Sequence, residues 1–194
     1  MRHCAKHLAT LALTALLGIL PAMADVVFDE TNFPDANFRQ YLKDNFSSKG
    51  FTTEGVTITT ANLNSITSIN CSSKSIASLK GIEYFTALTS LDCSYNQLTE
   101  LNMTQNADVK TLNCYRNQLT ALNVTGCTAL TQLKCDVNKL TELDVSTNTA
   151  LIELICGSNQ LTELNMTRNT KLSWLNCQLN KLTELDMTKN TALT

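Results

Sequence analysis

Histidine is nearly absent from this sequence. Its 194 residues hold two, His3 and His7, and none follows. Histidine is the usual general base near neutral pH and a common metal ligand. Without it, residues 8–194 cannot form a Ser-His-Asp or Cys-His device or a histidine-ligated metal site. Paired carboxylates can still catalyse, so an enzyme is made less expected but not excluded. Basic charge is not in excess either. Fifteen Lys and Arg face seventeen Asp and Glu. A mildly acidic chain is not built to bind nucleic acid or anionic lipid. After residue 24 no apolar stretch is long enough to span a membrane.

The first 24 residues read as a secretory signal peptide. Arg2 and Lys6 precede an apolar run from Leu8 to Leu20, and Ala22-Met23-Ala24 supplies a small-x-small cleavage signal. Cleavage is expected after Ala24. The run falls short of the ~20 residues of a spanning helix. Cys4 precedes it and is badly placed for a lipid-modified mature terminus. Cleavage removes both histidines and two basic residues, which leaves thirteen basic against seventeen acidic groups, a net charge of −4. The expected location is secreted or at the cell surface, as one domain.

What the chain has in abundance is a period. Cysteine recurs at Cys71, Cys93, Cys114, Cys135, Cys156 and Cys177, in steps of 22 residues and then 21. Five coils align without a gap from Leu88, Val109, Leu130, Leu151 and Leu172. The third carries Leu130, Leu133, Cys135, Asn138, Leu140, Leu143 and Val145. An earlier coil, residues 66–87, is degenerate and has Lys74 where later coils have Asn. Leu193-Thr194 begin a partial one. A fixed period of about 20–29 residues with Leu at set offsets marks a leucine-rich-repeat solenoid, whose coils bury their apolar faces only by stacking. In Leu91-Asp92-Cys93 the outer pair point inward and Asp92 outward, as a strand requires. The expected fold is formally α/β but mostly β. It has a parallel β-sheet on one face, short extended segments on the back and an N-terminal helical cap. Residues 25–65 form the cap region and 66–194 the repeats. Asn96, Asn117, Asn138, Asn159 and Asn180 sit where the chain leaves the strand, and their amides are expected to satisfy backbone groups of neighbouring coils.

Coils such as LTSLDCSYNQLTELNMTQN and LTQLKCDVNKLTELDVSTNTA resemble the bacterial internalin-type leucine-rich repeats, in particular 21-residue repeats that contain cysteine. The resemblance covers about residues 66–194. The stretches NFPDANFRQYL and SLKGIEYFTALTSLDCS also look like the entrance region of related secreted bacterial repeat proteins. It implies a secreted or surface binding protein, often used in adhesion, and no catalysis.

The cysteine column is expected to be reduced, buried and apolar. Equivalent positions on parallel strands lie roughly 4.8 Å apart and point the same way, whereas a disulfide wants Cβ atoms about 3.8 Å apart. A stack of thiolates holding a soft metal is the alternative. Buried apolar cysteine is inert, so no cofactor or metal is expected. Cys127 stands outside the column, at the position of Asn148, Asn169 and Asn190, either as a core substitution or exposed enough to pair with another chain.

Residues 25–60 should cover the first coil. Pro34 suits the first turn of a helix, and Phe38, Tyr41, Leu42 and Phe46 then form an apolar stripe ending near Ser47. Residues 45–56 do not make a calcium loop, because Lys49 and Val56 fall where oxygen ligands belong. The last coil shows no cap. Truncation is the favoured reading there, with end-to-end association through the uncapped coil as the other.

Function should lie at the outward positions, which stacking leaves free. Trp174, Ile155, Leu179, Tyr115, Arg116, Tyr95 and Val137 are the candidate partner-binding residues, and Tyr, Trp and Arg are the side chains most often used as anchors. The plain alternative is ordinary surface scatter. The back carries Glu100, Glu142, Glu163 and Glu184, interrupted by Ala121, read as a solvated stripe beside Lys139 and Lys181. The leading expectation is a non-enzymatic module that binds a protein or a glycan. The alternatives are a spacer, or the N-terminal part of a longer adhesin, and more remotely a carboxylate-based glycan hydrolase using residues such as Asp136 and Glu153.

Overall fold

The computed structural model describes residues 24–194. The signal peptide expected at residues 1–24 therefore lies outside it, apart from Ala24. The chain runs through β1 (Val26–Phe28), α1 (Ala36–Phe46), β2 (Val56–Ile58), α2 (Thr60–Asn64) and β3 (Ser68–Asn70). Then follow β4 (Ser90–Asp92), β5 (Glu100–Asn102), β6 (Thr111–Asn113), β7 (Ala121–Asn123), β8 (Gln132–Lys134), β9 (Glu153–Ile155) and β10 (Trp174–Asn176).

The repeats form a right-through parallel sheet in the order β10-β9-β8-β6-β4-β3. Its register pairs Ile69 with Leu91, Leu91 with Leu112, Leu112 with Leu133, Leu133 with Leu154 and Leu154 with Leu175. Each strand is three residues long, with its central residue turned inward. Full burial of one such leucine is worth about 1.5–3 kcal/mol, and the column repeats that contribution coil by coil. On the back, β5 and β7 pair in parallel, while later coils carry extended chain without an assigned strand.

Two asparagine columns join the coils. Asn138 Nδ2 donates to Cys114 O and Cys135 O at 3.1 and 3.0 Å, and its Oδ1 accepts from Leu119 N at 2.9 Å. Asn96, Asn117, Asn159 and Asn180 bond in the same way. Each amide thus bridges its own coil and the one before it. The second column is Asn106, Asn148, Asn169 and Asn190. Their Nδ2 groups donate to carbonyls 21 and 24 residues back, and their buried Oδ1 atoms accept no protein hydrogen bond. Cys127 fills the vacant place in this column. It is fully buried, with Sγ 3.4 Å from Met103 O, so the expectation of a core substitution holds and that of an exposed pairing thiol does not.

The cap is an aromatic cluster. Phe28 meets Phe51 edge-on at 5.0 Å, and Phe51 stacks on Phe85 of the first coil at 6.0 Å and 17°. Asp35 is the helix N-cap. Its Oδ1 accepts from Phe38 N at 2.9 Å, and its Oδ2 accepts from Ala77 N and Ser78 N at 2.7 and 3.1 Å. One carboxylate therefore starts α1 and ties it to the repeats. Pro34 lies just before this cap rather than inside the first turn, because the Asp35 carboxylate reaches the free N–H groups. The Tyr41 hydroxyl accepts from Asn70 N at 3.1 Å, which closes one position on the edge of β3.

Candidate ligand-binding face

The end of each sheet strand has a local rule that the residues do not announce. Tyr95, Arg116, Val137, Ser158 and Leu179, each two places after the ladder cysteine, adopt left-handed backbone with φ between 51° and 56°. The N–H of Tyr95 donates to Tyr115 O, that of Arg116 to Asp136 O, that of Val137 to Gly157 O and that of Ser158 to Gln178 O. The following Asn amide holds the turn from inside. Tyr95, Arg116, Val137 and Ser158 are thus pinned on both sides, and all five residues of the row lie beyond the C-terminal ends of their sheet strands.

Three of the candidate residues come together. The rings of Tyr95 and Tyr115 meet edge-to-face at 5.2 Å and 89°. The Arg116 guanidinium lies 5.6 Å from the first ring centre and 5.5 Å from the second, and its Nε donates to Tyr115 Oη at 2.8 Å. The contact arises because residues 20 or 21 apart become neighbours when coils stack. Trp174, Leu179, Val137 and Ile155 do not join this cluster. Trp174 stands at the far end of the sheet in register with Glu153, is 56% exposed, and Ile155 faces Asn176. Leu179 is 74% exposed, and Val137 is exposed as well. Ile155 is half-buried.

Polar pairs fill the face between these points. Thr111 Oγ1 donates to Ser90 Oγ at 2.9 Å, Asn113 Nδ2 donates to Asp92 Oδ2 at 3.0 Å, and Lys134 pairs with Glu153 at 3.4 Å. Burial raises the Asp136 carboxyl above its ordinary range. Ser90 with Thr111 and Asp92 with Asn113 stand in register on neighbouring strands, whereas Lys134 reaches Glu153 diagonally, since Glu153 is in register with Gln132.

The cysteine column lies beneath this face. All seven described cysteines are free thiols. Burial pushes Cys71 and Cys156 up to about 12 and Cys127 to about 11, and it raises Cys93, Cys114 and Cys135 as well. They are protonated, apolar and unreactive. On the back, Glu100, Glu142, Glu163 and Asp144 line an open groove of about 1170 Å³ with Leu101 and Leu143. Hydrogen bonds from the Ser146 hydroxyl and N–H lower Asp144. Lys139 and Lys181 bond to Gln118 and Gln160 rather than to this carboxylate stripe, because the amide oxygens one coil back lie within their reach.

No protein-family model matches the chain. Over 74 residues, 38% of its length, it is 45% identical to Internalin J of Listeria monocytogenes serotype 4b (strain F2365). Over that stretch its repeats are similar to those of Internalin J, and the chain as a whole is a parallel-sheet leucine-rich-repeat solenoid. The matched part spans 8% of Internalin J, so it covers a small fraction of that protein. The solved internalin C2 from L. monocytogenes aligns with 89% of this chain and 87% of its own, at 21% identity and a TM-score of 0.55, and shares the fold. The functional domain of InlJ from L. monocytogenes, which includes a cysteine ladder, aligns with 90% of this chain and 52% of its own at 30% identity and a TM-score of 0.41.

Proposed function

We propose that this chain is a non-enzymatic binding module, secreted or held at the cell surface, which engages a protein or glycan through its variable sheet face. One observation carries the reading. Inner positions are fixed by the leucine, cysteine and asparagine columns, whereas outward positions vary from coil to coil, with Asn113 and Asn176 the repeat among the strand residues of the five regular coils, and gather Tyr95, Tyr115 and Arg116 into a single cluster. Large aromatic and Arg side chains held in place lose little freedom on binding. The similarity to internalin repeats supports the same view. Glu153 is engaged in an ion pair with Lys134 at 3.4 Å, which favours a structural use of that position. No helix among the described residues is long and apolar enough to cross a membrane.

The test is a combined protein and glycan array probed with the intact chain, Tyr115→Ala and Trp174→Ala. Binding by the intact chain that falls in either variant supports the face. Equal binding by all three removes it. Amino-terminal sequencing of the exported protein should begin at Asp25, and retention of residues 1–24 would refute cleavage.

A further inference from the structure

Left-handed backbone is cheap for Gly and tolerable for Asn, and it is strained for bulky or β-branched residues. At the left-handed turns of the five regular coils this chain nevertheless sets Tyr95, Arg116, Val137, Ser158 and Leu179, and four of these five are large. Tyr95 and Arg116 pack on each other and on Tyr115, but no packing need explains Val137 and Leu179, which rank among the most exposed large hydrophobic side chains of the described residues. Strain that is kept without a packing return is a mark of use.

We propose that this left-handed row is the line along which a protein partner is read, and that the partner sets a carboxylate on Arg116 with apolar contacts to either side. The proposal rests on the reading of the sheet face as the binding surface, and it names the residues and the partner chemistry. Arg116 supplies the charge complementarity. It makes no ion pair among the described residues, and its Nε and ring contacts fix the guanidinium plane. Its two terminal amino groups are therefore oriented and unspent, the geometry that takes a carboxylate through two parallel bonds. Asp92 does not compete for it, since its oxygens accept from Ser94 and Asn113. The aliphatic members decide between ligand classes. Val137 and Leu179 offer no ring face or hydrogen-bonding group to a sugar, but they gain by burial against apolar side chains of a protein. Four coil steps separate Tyr95 from Leu179, about 19 Å at the spacing of parallel strands, or roughly six residues of extended chain.

The experiment selects a phage-displayed dodecapeptide library on the intact chain and measures each enriched peptide against Arg116→Asn, Val137→Asn, Leu179→Asn and Trp174→Ala. Expected are peptides with Asp or Glu among apolar residues. They should bind Arg116→Asn at least tenfold more weakly and the two aliphatic variants several-fold more weakly. Urea unfolding of the three row variants should occur at no lower concentration than for the parent, which separates lost contact from lost fold. Peptides without an acidic residue, undiminished binding to Arg116→Asn, or no enriched peptide would each overturn the proposal. Binding lost only in Trp174→Ala, or glycan binding on the array without any peptide, would overturn the row and leave the broader face reading standing.

Discussion

Alkaline pH should unfold this protein through its cysteine column. Cys71, Cys93, Cys114, Cys135 and Cys156 are buried, and burial raises each thiol well above the ordinary 9.0, Cys71 and Cys156 to about 12. In the unfolded chain the same thiols titrate near their ordinary value. The folded state therefore holds protons that the unfolded state releases, so stability is full below pH 9 and falls as pH rises from there toward 12. At pH 10 each unfolded thiol gains about 1.4 kcal/mol by ionising, a gain the buried one forgoes. Five such thiols withdraw about 7 kcal/mol. Single domains are usually stable by only ~5–15 kcal/mol, so most of the margin is lost within about one pH unit. The assay is urea unfolding followed by far-UV circular dichroism from pH 7 to pH 10 under a phosphine reductant. Replacing Cys93 and Cys135 by Ala should cut the slope above pH 9 by about two-fifths while lowering stability at pH 7. A flat profile to pH 10, or an unchanged slope in the double variant, would refute the reasoning. Thiols bound in disulfides or to a metal would give that flat profile, since neither holds a proton to lose.

Three further outcomes test the local rules. Val137→Asn should stabilise the fold by about 1 kcal/mol, because Asn enters the left-handed region that β-branched Val resists; unchanged or lower stability in urea would contradict this. Asn138→Ala should cost about 3 kcal/mol, since two cross-coil carbonyl contacts and the acceptor for Leu119 N go with it; a loss below about 1 kcal/mol would mean that the coils do not depend on the bridge. Gly126→Ala should be markedly destabilising, by about 3 kcal/mol or more, because its Cβ would clash with the backbone of Thr104. Gly157→Ala, whose Cβ would lie 3.0 Å from Asn176 Oδ1, should lose clearly less.

Much of this fold was legible because stacking imposes one answer at every inner position. Leu91, Leu112, Leu133 and Leu154 recur at fixed offsets, so their period set the sheet register and the buried cysteine floor together. The first asparagine column was legible for the same reason. The second was visible as a period through Asn148, Asn169 and Asn190, but its bonds run to carbonyls of the previous coil, which no local pattern reveals. The left-handed row was hidden more deeply. Tyr, Arg, Val, Ser and Leu share no preference for that backbone, and the cause lies in the following Asn and the next coil. The Tyr95, Tyr115 and Arg116 cluster was named residue by residue, yet only stacking shows that the three touch while Trp174 stands apart. For Lys139 and Lys181 the sequence shows the glutamates near by but not the amides of Gln118 and Gln160 one coil back, to which they bond.

The row and the asparagine column are one device, and their coupling is measurable. Each Asn amide donates to the carbonyl of the ladder cysteine two places before the left-handed residue and to a carbonyl of the previous coil. The next coil accepts the left-handed residue's own N–H. The turn is therefore set from the core, whatever side chain is displayed on it. That allows each coil to present a different residue, at a strain of about 1 kcal/mol for a poor fit, offset by the cross-coil bonds. It follows that Val137 is strained only while Asn138 holds the turn. In an Asn138→Ala background the turn is free to relax, and Val137→Asn should then gain almost nothing. A double-mutant cycle over these two positions should return a coupling of about 1 kcal/mol. Additive effects would mean that the left-handed turn is fixed by the inter-coil N–H bond alone, with the asparagine acting only as a tie between coils.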